Sequence, residues 1–371
     1  MTPHRIRRAV LALSLLLAAV PAMAADKILI VVSGEGRDQG KTRPGFEMDE
    51  FAQAYLIFRD NGYAIDVASP NGGRVEADKY DATEAFNASL LADAGATGLL
   101  AATRKTGELK AADYAAVYVV GGKGAMFDLP ADPALRRVVA DIYERGGVVA
   151  AVCHGPAALV DVRLGNGAWL VDGKRMTGFS NEEEAVFGKR WAKQYRFQLE
   201  DALKARGAQW QEAALMMPKL VVDGRLITGQ NPYSTPAVAE AIVSALGRQP
   251  KARMPWRDER TMTLVQRALN GESAAVRQAL AEDRDTYHVQ LIGLLGYYQA
   301  QATQDLAATR DALAIMQLAA PYMPEPQLRL GMAEAHLRLG DRERARSLTG
   351  EVLESHPDMA EAKQLLQRIG S

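Results

Sequence analysis

The sequence predicts an α/β domain on a mostly parallel sheet, followed by a smaller all-α domain. Three observations carry this. Between residues 26 and 247 short β-branched runs alternate with amphipathic stretches, a proline- and charge-rich segment at 248–260 breaks the alternation, and only helix-type patterns follow it. At 371 residues the chain also exceeds what one hydrophobic core organises, so two domains are expected.

The N-terminus is set apart. His4, Arg5, Arg7 and Arg8 precede an apolar run at 9–20, and Ala22-Met23-Ala24 supplies the small residues of a cleavage site, the pattern of a secretory signal peptide. An uncleaved anchor is the alternative, although the run is shorter than the ~20 residues a bilayer span needs. Residues 1–24 are therefore assigned to a signal peptide and 25–247 to the α/β domain. Residues 248–260 are assigned to a linker and 261–371 to the helical domain. The expected location is periplasmic or secreted, with no membrane association after cleavage. A formal net charge of -1 with 24% charged residues gives no reason to expect nucleic acid as a partner.

The runs 27–32, 63–69, 115–122 and 148–153 read as strands, and 46–61 and 133–145 as helices with apolar residues at three and four spacing. Strands buried on both faces imply a sheet covered on both sides, whose sites form at the strands' carboxyl ends. Ser33-Gly34, Gly121-Gly122 and Cys153-His154 fall there. The stretch 75–106 reads as helical pieces over one sheet edge, and LVVDGRLITGQ at 220–230 as a hairpin turning at Asp223-Gly224. In the C-terminal part, 312–324 and 345–357 share internal spacing. The later copy resembles a tetratricopeptide unit; an ordinary helical bundle is the alternative. Such paired helices suit protein contacts or self-association.

Cys153 is the only cysteine, so this chain forms no internal disulfide. In VVAAVCHGPAALV a strand ends at Cys153 and turns through Gly155 into a helix at 156–160. That elbow would project the sulfur and place a helix N-terminus behind it, stabilising a thiolate. Main-chain N–H groups at the elbow and at Gly121-Gly122 would receive a developing oxyanion, and His154 would act as general acid or base. The alternative is a buried core cysteine.

VVAAVCHGPAAL resembles the nucleophile elbow of the ThiJ/PfpI (DJ-one) superfamily, which has a class I glutamine amidotransferase-like fold. Within it, the likeness is to the heat-shock chaperone and glyoxalase III branch. KTRPGFEMDEF, ASPNGG, GGKGAMFDLP, MTGFSNEEE and DGRLITGQNPYS carry the same resemblance, in order, over most of 26–247. It implies a flavodoxin-like doubly wound domain with Cys153 as nucleophile and His154 as its partner. It also implies Glu50 as the acid sharing a proton with the sulfur, and Glu184, or nearly as well Glu183, as the acid orienting the histidine. Without it, Glu50 reads with Glu47 and Asp49 as a helix-start carboxylate, and Glu182, Glu183 and Glu184 as a solvated charge run. Lys123 stands where relatives often have histidine; it would bind an anionic group or point to solvent. His154 is the only histidine of the α/β domain, so a two-histidine metal site is excluded there, and neither metal nor cofactor is expected.

Three functions follow as expectations. The first is a cofactor-independent glyoxalase III that converts methylglyoxal, a small reactive aldehyde, to lactate. The second is a holdase chaperone or redox-sensing stress-response protein. The third is a cysteine-dependent amidase or peptidase.

Overall fold

The computed structural model describes residues 27–370, so the expected signal peptide lies outside the described residues. The chain begins with β1 (Lys27–Val31), α1 (Met48–Asp60) and β2 (Ala64–Ser69). Next come α2 (Ala85–Ala92), α3 (Ala94–Ala101) and the short β3 (Arg104–Lys105). Strand and helix alternate again through β4 (Ala116–Val119), α4 (Pro133–Glu144) and β5 (Val148–Val152). An irregular stretch with β6 (Arg175–Met176), α5 (Asn181–Phe187), α6 (Lys189–Ala192), α7 (Leu199–Ala205) and β7 (Gln209–Trp210) then leads to β8 (Leu220–Asp223), β9 (Leu226–Gly229) and α8 (Thr235–Ala245).

The main sheet has the order β3-β2-β1-β4-β5-β9-β8, and only the β8/β9 pair is antiparallel. This is the flavodoxin-like doubly wound arrangement expected. Every residue of β4 and β5 is buried, because helices cover both faces. Winding reverses between β1 and β4, which opens a crevice at the strands' carboxyl ends. The pieces expected at 75–106 are α2, α3 and edge strand β3.

Two local expectations shift. The hairpin turns at Gly224-Arg225, one residue later than expected, because Asp223 pairs with Leu226 and Gly224 has φ 61°. A positive φ at the first central residue twists a two-residue turn to match the strands. At 257–260 the expected linker is already helical. Arg253 also pins its middle, pairing with Glu240 at 2.9 Å and Glu259 at 2.7 Å while stacking over Trp256.

The C-terminal region is helical throughout: α9 (Arg257–Arg267), α10 (Ser273–Glu282), α11 (Val289–Ala302), α12 (Leu306–Ala319), α13 (Pro326–Arg338), α14 (Arg342–Ser355) and α15 (Ala360–Gly370). Asp305 caps α12 and Asp341 caps α14, each accepting a backbone N–H three residues on. Ala312 and Ala345 are fully buried within the paired helices. These helices build a second core separate from that of the sheet, and Met217 from the loop before β8 inserts into it.

Candidate active site

β5 delivers Cys153 to the crevice. Its N–H still donates to Gly229 O as the strand ends, but its φ of 57° turns the chain sharply, a conformation that costs a non-glycine residue about 1 kcal/mol or more. Gly155 makes the turn feasible, since a Cβ there would lie 2.4 Å from Val119 O. Gly121 does the same from β4, where a Cβ would meet the Cys153 Cβ at 2.7 Å. The predicted elbow is present. The helix expected behind it is only the five-residue 3-10 turn Gly155–Leu159, buried throughout.

Cys153, His154 and Glu184 come together as a relay. Cys153 Sγ lies 3.4 Å from His154 Nδ1, and His154 Nε2 lies 2.8 Å from Glu184 Oε2. Both partners of the second contact are buried. A carboxyl at that distance accepts a hydrogen bond from Nε2–H and leaves Nδ1 as the acceptor facing the thiol, a tautomer assigned from the hydrogen-bond network. Phe179 stacks on the imidazole with centroids 4.3 Å apart, fixing the ring. Glu183, the near alternative in sequence, does other work. Its Oε2 accepts from Ser180 N–H in a capping box for α5, and its Oε1 accepts from Asn231 Nδ2 at 2.9 Å and Met216 N–H at 3.2 Å.

Glu50 projects from the first turn of α1 into the core and is fully buried. Gly121 N–H donates to its Oε2 at 2.6 Å, while Oε1 is buried without a hydrogen-bond partner. Burial first, and the Glu47 charge second, push this carboxyl well above the usual carboxylate range. The environment therefore favours the protonated form of this carboxyl.

Two expectations need correction. The elbow does not favour a resting thiolate at Cys153: burial pushes the thiol well above its ordinary value, and a Gly122 N–H acts against it. A five-residue 3-10 turn has too little aligned dipole to offset complete desolvation. Nor is Gly121 an oxyanion donor. Its N–H is committed to Glu50 and that of Cys153 to Gly229 O, while Gly122 N–H points at the sulfur.

The cavity at the sulfur encloses about 230 Å³ and is lined in part by Glu47, Gly122, Lys123, Phe179, Phe187 and Met216. Lys123 lines this cavity beside Glu47, whose carboxyl is pushed up to about 8 by burial and then by Asp49, with Lys123 pulling the other way. Sequence reasoning missed Glu47 as a site residue. The signal was its spacing: Glu47 and Glu50 stand three apart across the start of α1, hence on neighbouring faces of one turn. Among the described residues no group of three or more His, Cys, Asp or Glu side chains is placed to hold a metal ion.

A strained cysteine elbow, a histidine–carboxyl relay and a buried acid meet at the carboxyl ends of a doubly wound sheet, the arrangement of an α/β domain with its site at the switch point. The model of the DJ-1/PfpI family matches residues 42–245, more than half of the chain, and the chain belongs to that family. The glutathione-independent glyoxalase hsp3101 of Schizosaccharomyces pombe is 30% identical over 219 residues, 54% of this chain and 86% of that protein. Glyoxalase 3 of Candida albicans is 28% identical over 212 residues, covering 55% and 90%. Among solved structures, glyoxalase III from Candida albicans superposes with a TM-score of 0.55 at 26% identity, over 60% of this chain and 98% of that one. The Rapid Encystment Protein of Francisella tularensis gives 0.55 at 30% identity, over 59% and 98%.

Proposed function

We propose that this chain is a glutathione-independent glyoxalase that converts methylglyoxal or a related 2-oxoaldehyde to the 2-hydroxy acid. The observation that carries the reading is the relay from Cys153 through His154 to Glu184, with the buried Glu50 carboxyl held beside the elbow by Gly121 N–H. His154 Nδ1 takes the thiol proton, Glu184 stabilises the resulting imidazolium, and the thiolate adds to the aldehyde carbon to give a hemithioacetal. A proton then leaves C1 and another reaches C2 through an enediol, with His154 and Glu50 as the groups within reach. The product is a thioester on Cys153. Water attacks it, the sulfur recovers its proton, and lactate leaves, so that methylglyoxal plus water balances lactate. A covalent thiol in the protein does what an external thiol would otherwise do.

The test is turnover of methylglyoxal by the chain without glutathione, following aldehyde loss and lactate formation, with Cys153→Ala as control. Cysteine-dependent lactate is expected. Full turnover by the alanine variant, or none by the wild type, overturns the reading. The site does not favour a redox sensor, which needs an exposed, low-pKa sulfur, whereas Cys153 is 4% exposed with its thiol pushed up. In the same reading the basic, apolar N-terminus directs export to the periplasm or beyond, which N-terminal sequencing of the chain from fractionated cells tests. The paired helices, read as tetratricopeptide-like, serve for protein contacts or self-association.

A further inference from the structure

The cavity at Cys153 is walled from two sides. Glu47, Gly122, Lys123 and Phe179 belong to the α/β core, but Phe187, Met216 and Tyr233 each touch the helical region. Tyr298 on α11 meets Phe187 edge-on, with centroids 5.1 Å apart at 76°. The next residue, Gln299, is 8% exposed and donates Nε2–H to Leu215 O at 2.8 Å. Leu215 is followed by Met216, whose φ of 65° is a conformation that L-residues adopt at a cost of about 1 kcal/mol or more unless held. It is held from both sides: Met216 N–H donates to Glu183 Oε1 at 3.2 Å, and Gln299 anchors the carbonyl of the preceding residue. Met217 completes the attachment by inserting into the helical core. The family match ends at residue 245, and the Candida albicans structure spends 98% of its length on 60% of this chain. A wall carried by α11 therefore lies outside the part of the chain that the family model matches.

We propose that α11 is part of the active-site wall, with Tyr298 and Gln299 as positioning residues that fix Phe187 and Met216. By doing so they restrict the cavity to short-chain 2-oxoaldehydes. The substrate class rests on the glyoxalase reading; the wall does not. Removing either prop lets its client side chain swing away from the sulfur, and the cavity then admits bulkier electrophiles. A purely structural role would instead slow all electrophiles alike.

The test uses the full chain with Tyr298→Ala, Gln299→Leu and the conservative Tyr298→Phe, each checked for folding by circular dichroism. Two ratios are read: kcat/KM for phenylglyoxal over methylglyoxal, and the Cys153 alkylation rate with N-benzyl iodoacetamide over iodoacetamide. Tyr298→Ala and Gln299→Leu are expected to raise both bulky-to-small ratios by about tenfold, the scale on which apolar pocket walls discriminate. The gain should appear mainly in KM, and Tyr298→Phe should keep the wild-type ratios. Unchanged ratios, equal loss with small and bulky reagents, or a Tyr298→Phe variant that behaves like Tyr298→Ala overturn the proposal. Should Tyr298→Ala not fold, Tyr298→Leu, which keeps apolar volume without the ring edge, carries the same expectation. If the wild type turns over neither aldehyde, the glyoxalase reading fails, and the alkylation ratio still decides the wall.

Discussion

Two carboxyls flank the thiol chemistry, and their environments give them opposite roles. Glu184 lies 2.8 Å from an imidazole nitrogen and orients the ring; Glu50 is enclosed, its carboxyl pushed well above the usual range by burial. Removing the charge at residue 184 by Glu184→Gln should cut turnover about 10²-fold or more and move the pH profile of Cys153 alkylation to higher pH, because the imidazolium loses its counter-ion. Glu50→Gln exchanges one neutral group for another, so the alkylation profile should stay in place while turnover falls about 10²- to 10⁴-fold for want of the mobile proton. Stopped-flow turnover and alkylation across pH 6 to 10 separate the two; a shifted profile in Glu50→Gln would mean a resting carboxylate there. The sequence carried the identities of these residues through the resemblance, but not their protonation. The pattern GFEMDE reads as a helix start dressed with carboxylates, and only the tertiary contacts show which of the three turns inward.

At the scale of the elements, the strand–turn junction at Cys153 was legible because its constraints are local. A β-branched run, a cysteine and a glycine in succession announce a sharp exit from a buried strand. The character of the following turn was not legible: Pro156 and two alanines suit the start of an α-helix as well as a 3-10 turn, and packing against β4 decides between them. For the same reason Gly121 could be placed at the site but not given its partner, which comes from α1, far away in sequence. The close approach of β4 and the elbow supplies the element-scale prediction. Gly155→Ala puts a Cβ 2.4 Å from Val119 O, backbone against backbone, with no flexible atom to yield. Urea unfolding should show a loss of about 2 kcal/mol or more, with the alkylation rate of Cys153 rising as the elbow opens. A variant of wild-type stability would show that the junction can relax.

Over the whole molecule, raised and lowered carboxyls make stability depend on pH in a defined direction. Burial pushes Glu47 up to about 8, Asp49 to about 6, Asp128 to about 6 and Glu183 to about 7. In the unfolded chain such groups titrate near pH 4, so between roughly pH 4.5 and 8 the folded state holds more protons than the unfolded one. Their contribution is complete below that window and is lost as pH rises through it. Asp66 works the other way: against the pull of burial, hydrogen bonds from Tyr114 and Arg104 hold it low. Asp93 is likewise held low by the Ala96 N–H and then by Arg59, and both contributions disappear only in stronger acid. The thermal midpoint should therefore be highest near pH 5 and fall by about 3 °C or more towards pH 8.5, and Glu47→Gln should flatten the upper part of that slope. A scan from pH 4.5 to 8.5 in one ionic strength decides it. A midpoint that is flat or rises with pH would mean that these acids are ionised in the folded chain, and with that result the protonated Glu50 on which the proposed proton transfer depends would fall as well.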